Sequence, residues 1–151
     1  GGSSSSLNFG TDDMMEVKNA SGVENDRHAF IKFDLTSLSG TSVSDAKLRL
    51  HAYTLPNGAP VPVKLYAVTD DSWTELGITW DNQPSAGAQL GSVNIETTGW
   101  VEFDVTSFVS AQMAVDKIVS FVLMDDTQSA KSVKFRTRER SGEEPILIIE
   151  E

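Results

Sequence analysis

The chain has no cysteine, which excludes a disulfide framework and thiol chemistry. That absence leaves the compartment open. Histidine is nearly as scarce: His28 and His51 are the only two, and neither stands in a metal-ligand spacing. No Gly-rich phosphate loop, nucleophile elbow or metalloprotease helix motif occurs. No apolar run approaches the roughly 20 residues of a bilayer span. Positive charge is in short supply as well. The 12 Lys+Arg against 22 Asp+Glu leave a net charge of −10, which argues against nucleic acid, because a non-specific duplex binder needs a basic footprint. Paired acids are present at Asp12–Asp13, Asp70–Asp71, Asp125–Asp126 and Glu143–Glu144, but all fall in predicted loops. A general acid needs a desolvated setting, so the chain reads as non-catalytic and requires no cofactor.

What is present is alternation. With 151 residues the chain is long enough for one domain with its own core. Short segments of period two recur between turn signals, the pattern of an all-β protein. "HAFIKFDL" sets Ala29, Ile31, Phe33 and Leu35 on one face. "SDAKLRLHAYTL" turns Ala46, Leu48, Leu50 and Ala52 inward, and "PVPVKLYAV" does the same with Val61, Val63, Leu65 and Ala67. "MMEVKN", "AQLGSVNI", "GWVEFDV", "KIVSFVLM", "SVKFRTR" and "PILIIE" complete about nine strands. "KIVSFVLM" is apolar on both faces and belongs in the middle of a sheet. Pro60 and Pro62 place the start of their strand at an edge or bulge, since proline cannot donate to a ladder. Turns are expected at "LPNGAP", "DDSW", "TTG" and "SGEEP". One short helix is expected at "VTSFVSAQMA", with Thr106 as N-cap. The fold class that follows is an antiparallel β-sandwich, jelly-roll-like, of two sheets with little helix. Residues 1–151 form a single module, with 1–6 read as linker or a truncated N-terminal edge.

The charges are unevenly placed. Acids concentrate in loops, while many bases occupy the polar faces of strands: Lys18, Lys32, Lys47, Arg49, Lys64, Lys134, Arg136 and Arg138. In "SVKFRTRER" the cations alternate with Val133, Phe135 and Thr137, which are expected to face the core. Two readings of this ladder stand side by side. It holds carboxylates or sulfates along a chain through Arg forks, or it is neutralised across strands by Glu16, Asp34, Glu102 and Asp104. The loop "DDSWTELGITWDNQPSAG" likewise admits two uses for Trp73 and Trp80, a platform for sugar rings or pins under a long connection, and the second is favoured. A structural calcium ion is a further use for the loop acids. Its candidate ligands are Asp12, Asp13, Asp26, Asp70, Asp71, Asp125 and Asp126.

The order of elements resembles a known family. "NFGTDDMMEVKN", "RHAFIKFDLTSL", "SDAKLRLHAY", "VKLYAVTDDSWTELGITWDNQP", "GWVEFDVTSFV", "VSFVLMDD" and "KFRTRERSGEEPILII" are similar to the DNRLRE domain, which includes the alginate-binding carbohydrate-binding modules of family ninety-six. The resemblance covers nearly the whole chain and is most specific in "SWTELGITWDNQP" and "GWVEFDVTSFV". It implies a non-catalytic β-sandwich appended to secreted polysaccharide-degrading enzymes or surface proteins, with Trp73, Trp80 and Trp100 as scaffold. It also implies that Lys18 and Arg27, and more weakly Lys32, line a shallow groove. Asp12, Asp13 and Glu16 depart from the pattern, since a polyanion binder would prefer lysine there.

The expectation is therefore an extracellular module that binds polysaccharide, anionic and alginate-like, and is tethered to catalytic or surface domains. Neither nucleic acid nor membrane is expected as a partner. The contact residues are expected to be Lys18, Arg27, Lys32, Lys134, Arg136 and Arg138, with Tyr53 and Tyr66 as stacking aromatics. The competing expectation is a structural or adhesion spacer with no glycan site.

Overall fold

The computed structural model describes residues 1–20, 22–56 and 60–151. The turn expected at Leu55–Pro60 lies partly outside these residues. Nine strands occur among them. They are β1 (Met14–Lys18), β2 (Ala29–Asp34), β3 (Asp45–Thr54), β4 (Val61–Val68), β5 (Gln89–Ile95), β6 (Gly99–Asp104), β7 (Ile118–Met124), β8 (Ser132–Arg136) and β9 (Ile146–Glu150). One α-helix, α1 (Thr106–Met113), joins β6 to β7.

Every strand pair is antiparallel. The first sheet runs β1-β8-β3-β6 and the second β2-β7-β4-β5. This interleaving of chain order between two sheets is that of a jelly roll. The edge of β3 opposite β6 is shared by two strands: β9 pairs with its Asp45–Arg49 end and β8 with Ala52 and Thr54. A register shift at that second contact marks an irregularity beside Tyr53.

The core lies between the sheets. Ala46, Leu48, Leu50 and Ala52 of β3 are completely buried, as are Val61, Val63 and Leu65 of β4. Burying each large aliphatic side chain contributes about 1.5–3 kcal/mol. β7 is buried from Val119 to Leu123. It lies between β2 and β4, as its two-sided apolarity requires.

The start of β4 is edge-like, as its prolines require, although further along the strand sits between β7 and β5. Pro62 is tolerated because β7 reaches only as far as Lys64, so at Pro62 the strand has β5 as its one ladder partner. Thr106 is the first helical residue rather than the N-cap, a position taken by Val105. Asp104 Oδ1 instead accepts from Thr106 N (3.0 Å) and Thr106 Oγ1 (2.7 Å). The basic run does not form one continuous strand. β8 ends at Arg136, and Arg138 and Arg140 lie in the turn that follows. Thr137 is only partly buried and donates its hydroxyl to Asp12 O at 2.7 Å.

Residues 1–6 form no strand. Ser5 Oγ donates to Asp81 Oδ2 at 3.1 Å, and Asp81 N donates to Ser5 O at 3.2 Å. The long β4–β5 connection is thereby tied, past its middle, to the N-terminal segment. Its tryptophans pack on β2 and the residue before it. Trp73 meets Phe30 edge-on at 5.8 Å, and Trp80 meets His28 at 4.7 Å. The pinning role expected for these two aromatics is what the packing displays.

Candidate functional site

Strand parity sends the polar residues of the first sheet to its outer face. Val17, Val133, Phe135, Leu50 and Phe103 are buried, so their neighbours Lys18, Lys134, Arg136, His51 and Glu102 turn outward. Lys18 is opposite Ser132 on β8 and is bridged on its other side to Arg27. Residues directly opposite share a face, so Arg27 joins this set. Of the residues expected to make contacts, the structure brings Lys18, Arg27, Tyr53, Lys134 and Arg136 to one sheet face. Lys32 and Tyr66 lie on the other sheet. Arg138 lies in the turn after β8.

The cations differ sharply in what surrounds them. Arg136 is 16% exposed, with Nε 3.0 Å from Glu143 Oε2 and Nη1 3.5 Å from Asp13 Oδ2. Its guanidinium lies 3.6 Å from the Tyr53 ring centroid. Arg138 is 70% exposed and pairs with Glu75 at 2.5 Å and Glu139 at 3.3 Å. Lys32 Nζ donates to the carbonyls of Asp71 and Trp73 and sits 4.4 Å from the Trp73 ring centroid. Tyr66 shares Asp126 with Lys64, whose ammonium is 2.5 Å from that carboxylate. These four residues each have a local structural partner.

Lys18, Arg27 and Lys134 contrast with them. Among the described residues none of the three takes part in an ion pair. Arg27 Nη1 donates to its neighbouring Asp26 carbonyl at 3.2 Å. Lys134 stands across from Glu16 in register without closing a salt bridge. An acidic protein thus keeps a basic corner where β1 meets β8.

A second feature of the same face was not singled out as a site in the sequence. Trp100 is 39% exposed on β6, directly opposite His51. The His51 ring meets it edge-on at 5.1 Å, and the Arg49 guanidinium lies 5.0 Å from its centroid. Arg49 is paired with Glu102 at 3.3 Å. Gly99 precedes Trp100 with φ of 129°, a conformation that favours glycine. The parity of buried Phe103 and Val105 was the signal available: Trp100 must lie on the opposite side from Phe103.

The loop side of the molecule carries two clefts. One, of about 230 Å³, is lined by residues including Asp70, Trp73, Asn82 and Pro84. The other, of about 200 Å³, includes His28, Phe30, Gln83 and Pro84. Lys18, Arg27 and Lys134 line neither of them. His28 Nδ1 is 2.9 Å from Gln83 Oε1. Burial pushes the His28 pKa down from 6.5, and the Gln83 contact acts in the opposite direction.

The calcium candidates are dispersed. Asp125 is buried and accepts from Thr127 N, Thr127 Oγ1 and Ser129 Oγ. Asp71 accepts from Ser120 Oγ, Asp70 from Ser72 N at 3.0 Å, and Asp26 from Ala20 N at 2.9 Å. Asp126 pairs with Lys64 and Asp13 with Arg136, while Asp12 accepts through its carbonyl from Thr137. Among the described residues no three His, Asp or Glu side chains gather as a metal site.

The first sheet of this β-sandwich thus carries on its outer face three cations without ion pairs among the described residues, Lys18, Arg27 and Lys134, and a partly exposed indole, Trp100. The chain belongs to carbohydrate-binding module family 96, whose model matches residues 1–151. As a carbohydrate-binding module it is not an enzyme by itself. It is also 31% identical over 145 residues to a gellan lyase from a Bacillus species, an alignment covering 90% of this chain and 6% of the lyase. The chain therefore spans a small fraction of that relative. Among the described residues no helix is long and apolar enough to cross a membrane.

Proposed function

We propose that this module binds an acidic polysaccharide of the alginate or gellan kind on the outer face of its first sheet. In this reading it serves as the DNRLRE-type targeting module of a secreted polysaccharide-degrading protein that works outside the cell. The observation that carries the reading is the gathering of Lys18, Arg27 and Lys134, without ion pairs among the described residues, on a chain of net charge −10. Cations left unneutralised in such a protein are available to carboxylates along a polymer. Lysine supplies point charge, and Arg27 supplies a planar fork for a carboxylate. The gellan lyase match supports a parent protein that degrades polysaccharide. Contacts at an open face are weak individually, and tethering to a catalytic domain raises the effective concentration.

Affinity electrophoresis through gels containing alginate, gellan, pectin or a neutral glycan tests this. One or more of the acidic polymers retards the protein, and the neutral one does not. The Lys18→Ala/Lys134→Ala double variant migrates freely. Raising the salt from about 0.1 M to about 1 M shortens the Debye length from about 10 Å to about 3 Å and abolishes retardation in the same way. Free migration of the wild-type protein in every acidic gel refutes the proposal and leaves a spacer module.

A further inference from the structure

We infer that the polysaccharide crosses the strands of the first sheet from the basic corner to Trp100, and that Trp100 is a stacking subsite for a sugar ring. This rests on the reading that the module binds a polysaccharide on that face. β1, β8, β3 and β6 stand side by side, and the register sets Trp100 and His51 level with Met14 and Met15 rather than with Lys18, so the path runs obliquely, about 14 Å across the strands and roughly 20 Å in all at the usual strand spacing and rise. Outward side chains along it are Lys18 on β1, Lys134 on β8, Tyr53 and His51 on β3, and Trp100 on β6. That span suits several linked sugars rather than one.

The two ends of the path differ chemically. The β1–β8 end offers cations that close no ion pair among the described residues, although Glu16 stands across from Lys134. The β6 end offers an indole whose 39% exposure leaves apolar area to cover a ring of C–H groups. His51 at 5.1 Å and Arg49 at 5.0 Å hold that indole in one orientation, and Glu102 holds Arg49 in turn. An aromatic already fixed in place loses little freedom when a ligand stacks on it. Between the ends, Arg136 is matched by Glu143 and Asp13 and lies on Tyr53. The middle of the path thus holds one cation between two carboxylates and offers a polyanion no attraction of its own. Binding accordingly divides into a salt-sensitive part at Lys18 and Lys134 and a salt-insensitive part at Trp100.

The test compares wild type, Trp100→Ala, Trp100→Phe and the double lysine variant in gels containing alginate or gellan, with thermal unfolding run on each protein. Trp100→Ala weakens retardation about tenfold, the order expected for an anchoring tryptophan, and what remains is still abolished by salt. Trp100→Phe keeps most of the affinity. Retardation of Trp100→Ala equal to wild type overturns the subsite and leaves the cation reading standing. Wild type that neither polymer retards overturns both. If Trp100→Ala unfolds, iodide quenching of the wild-type tryptophan fluorescence decides, with Trp100→Phe as the reference. Polymer that shields the exposed indole supports the subsite, and polymer that leaves quenching unchanged overturns it.

Discussion

The Arg136 guanidinium lies 3.6 Å from the centroid of the Tyr53 ring, with Glu143 and Asp13 at its nitrogens. Arg136 thus fastens four parts of the chain to one another: the end of β8, the bulged end of β3, the turn before β9 and the segment before β1. A charge-assisted hydrogen bond contributes about 1.5–3 kcal/mol, and a partly desolvated cation–π contact adds about 1 kcal/mol. Arg136→Ala should therefore destabilise the fold by about 2 kcal/mol in denaturant unfolding. Arg136→Lys should recover only part of this, because an ammonium lacks the planar fork. A change below about 0.5 kcal/mol, the size typical of neutral surface substitutions, would show the network to be incidental.

Lys32 fastens the long β4–β5 connection through the Asp71 and Trp73 carbonyls and the Trp73 ring. Lys32→Met keeps much of the aliphatic stem but removes the donor. The segment from Asp70 to Gly87 should then exchange its amide hydrogens faster, and be cut sooner by protease, than β3 in the same molecule. Polysaccharide retardation should be unchanged, since Lys32 lies on the other sheet. Loss of retardation with the loop intact would instead place Lys32 in contact with ligand.

His28 gives the fold a pH dependence of definite sign. Its pKa in the folded protein is depressed below 6.5 by burial, so the unfolded chain binds a proton more readily. The stabilisation this provides is fully present above pH 6.5 and is lost as pH falls through the depressed folded value. The thermal midpoint should decline on the acid side of neutrality, and His28→Gln should flatten that decline. Asp34, Asp70 and Asp104, whose pKa values are lowered chiefly by hydrogen bonds from Thr36, Ser72 and Thr106, act with the same sign. Their effect falls in the more acidic range, below the ordinary 3.8. An identical slope in wild type and His28→Gln between pH 5 and 7, about the range where histidine titrates, would contradict the assignment.

Leu50 is completely buried on β3 between Arg49 and His51. Leu50→Ala should cost about 2–5 kcal/mol with the denaturant slope unchanged. Ile148→Ala, on the outward face of β9 where the side chain is 38% exposed, should cost markedly less. Equal costs would mean that the outer face of β9 is covered in solution.

The strands could be read from the sequence because burial on one face obliges the residues to alternate. "SDAKLRLHAYTL" shows this most plainly, since Ala46, Leu48, Leu50 and Ala52 are all fully buried. Alternation also determined that Trp100 opposes Phe103 across the plane of β6, although the family resemblance pointed to a scaffold role. The end of the basic run was less legible. Nothing in the spacing of Arg136, Arg138 and Arg140 shows that pairing with β1 stops at Arg136, because strand ends depend on the partner strand.

By itself, then, the sequence determined which side chains share a face and that the fold is an all-β sandwich. Period two is a property of a single strand. Only the tertiary structure decided which cations are neutralised. Arg136 meets Glu143 from the following turn and Asp13 from the segment before β1. Arg138 meets Glu75 from a distant loop, while Lys134 stands opposite Glu16 without pairing. Electrostatic neutralisation depends on distance in space, and those distances are set by sheet order and loop path, which alternation along one strand does not encode.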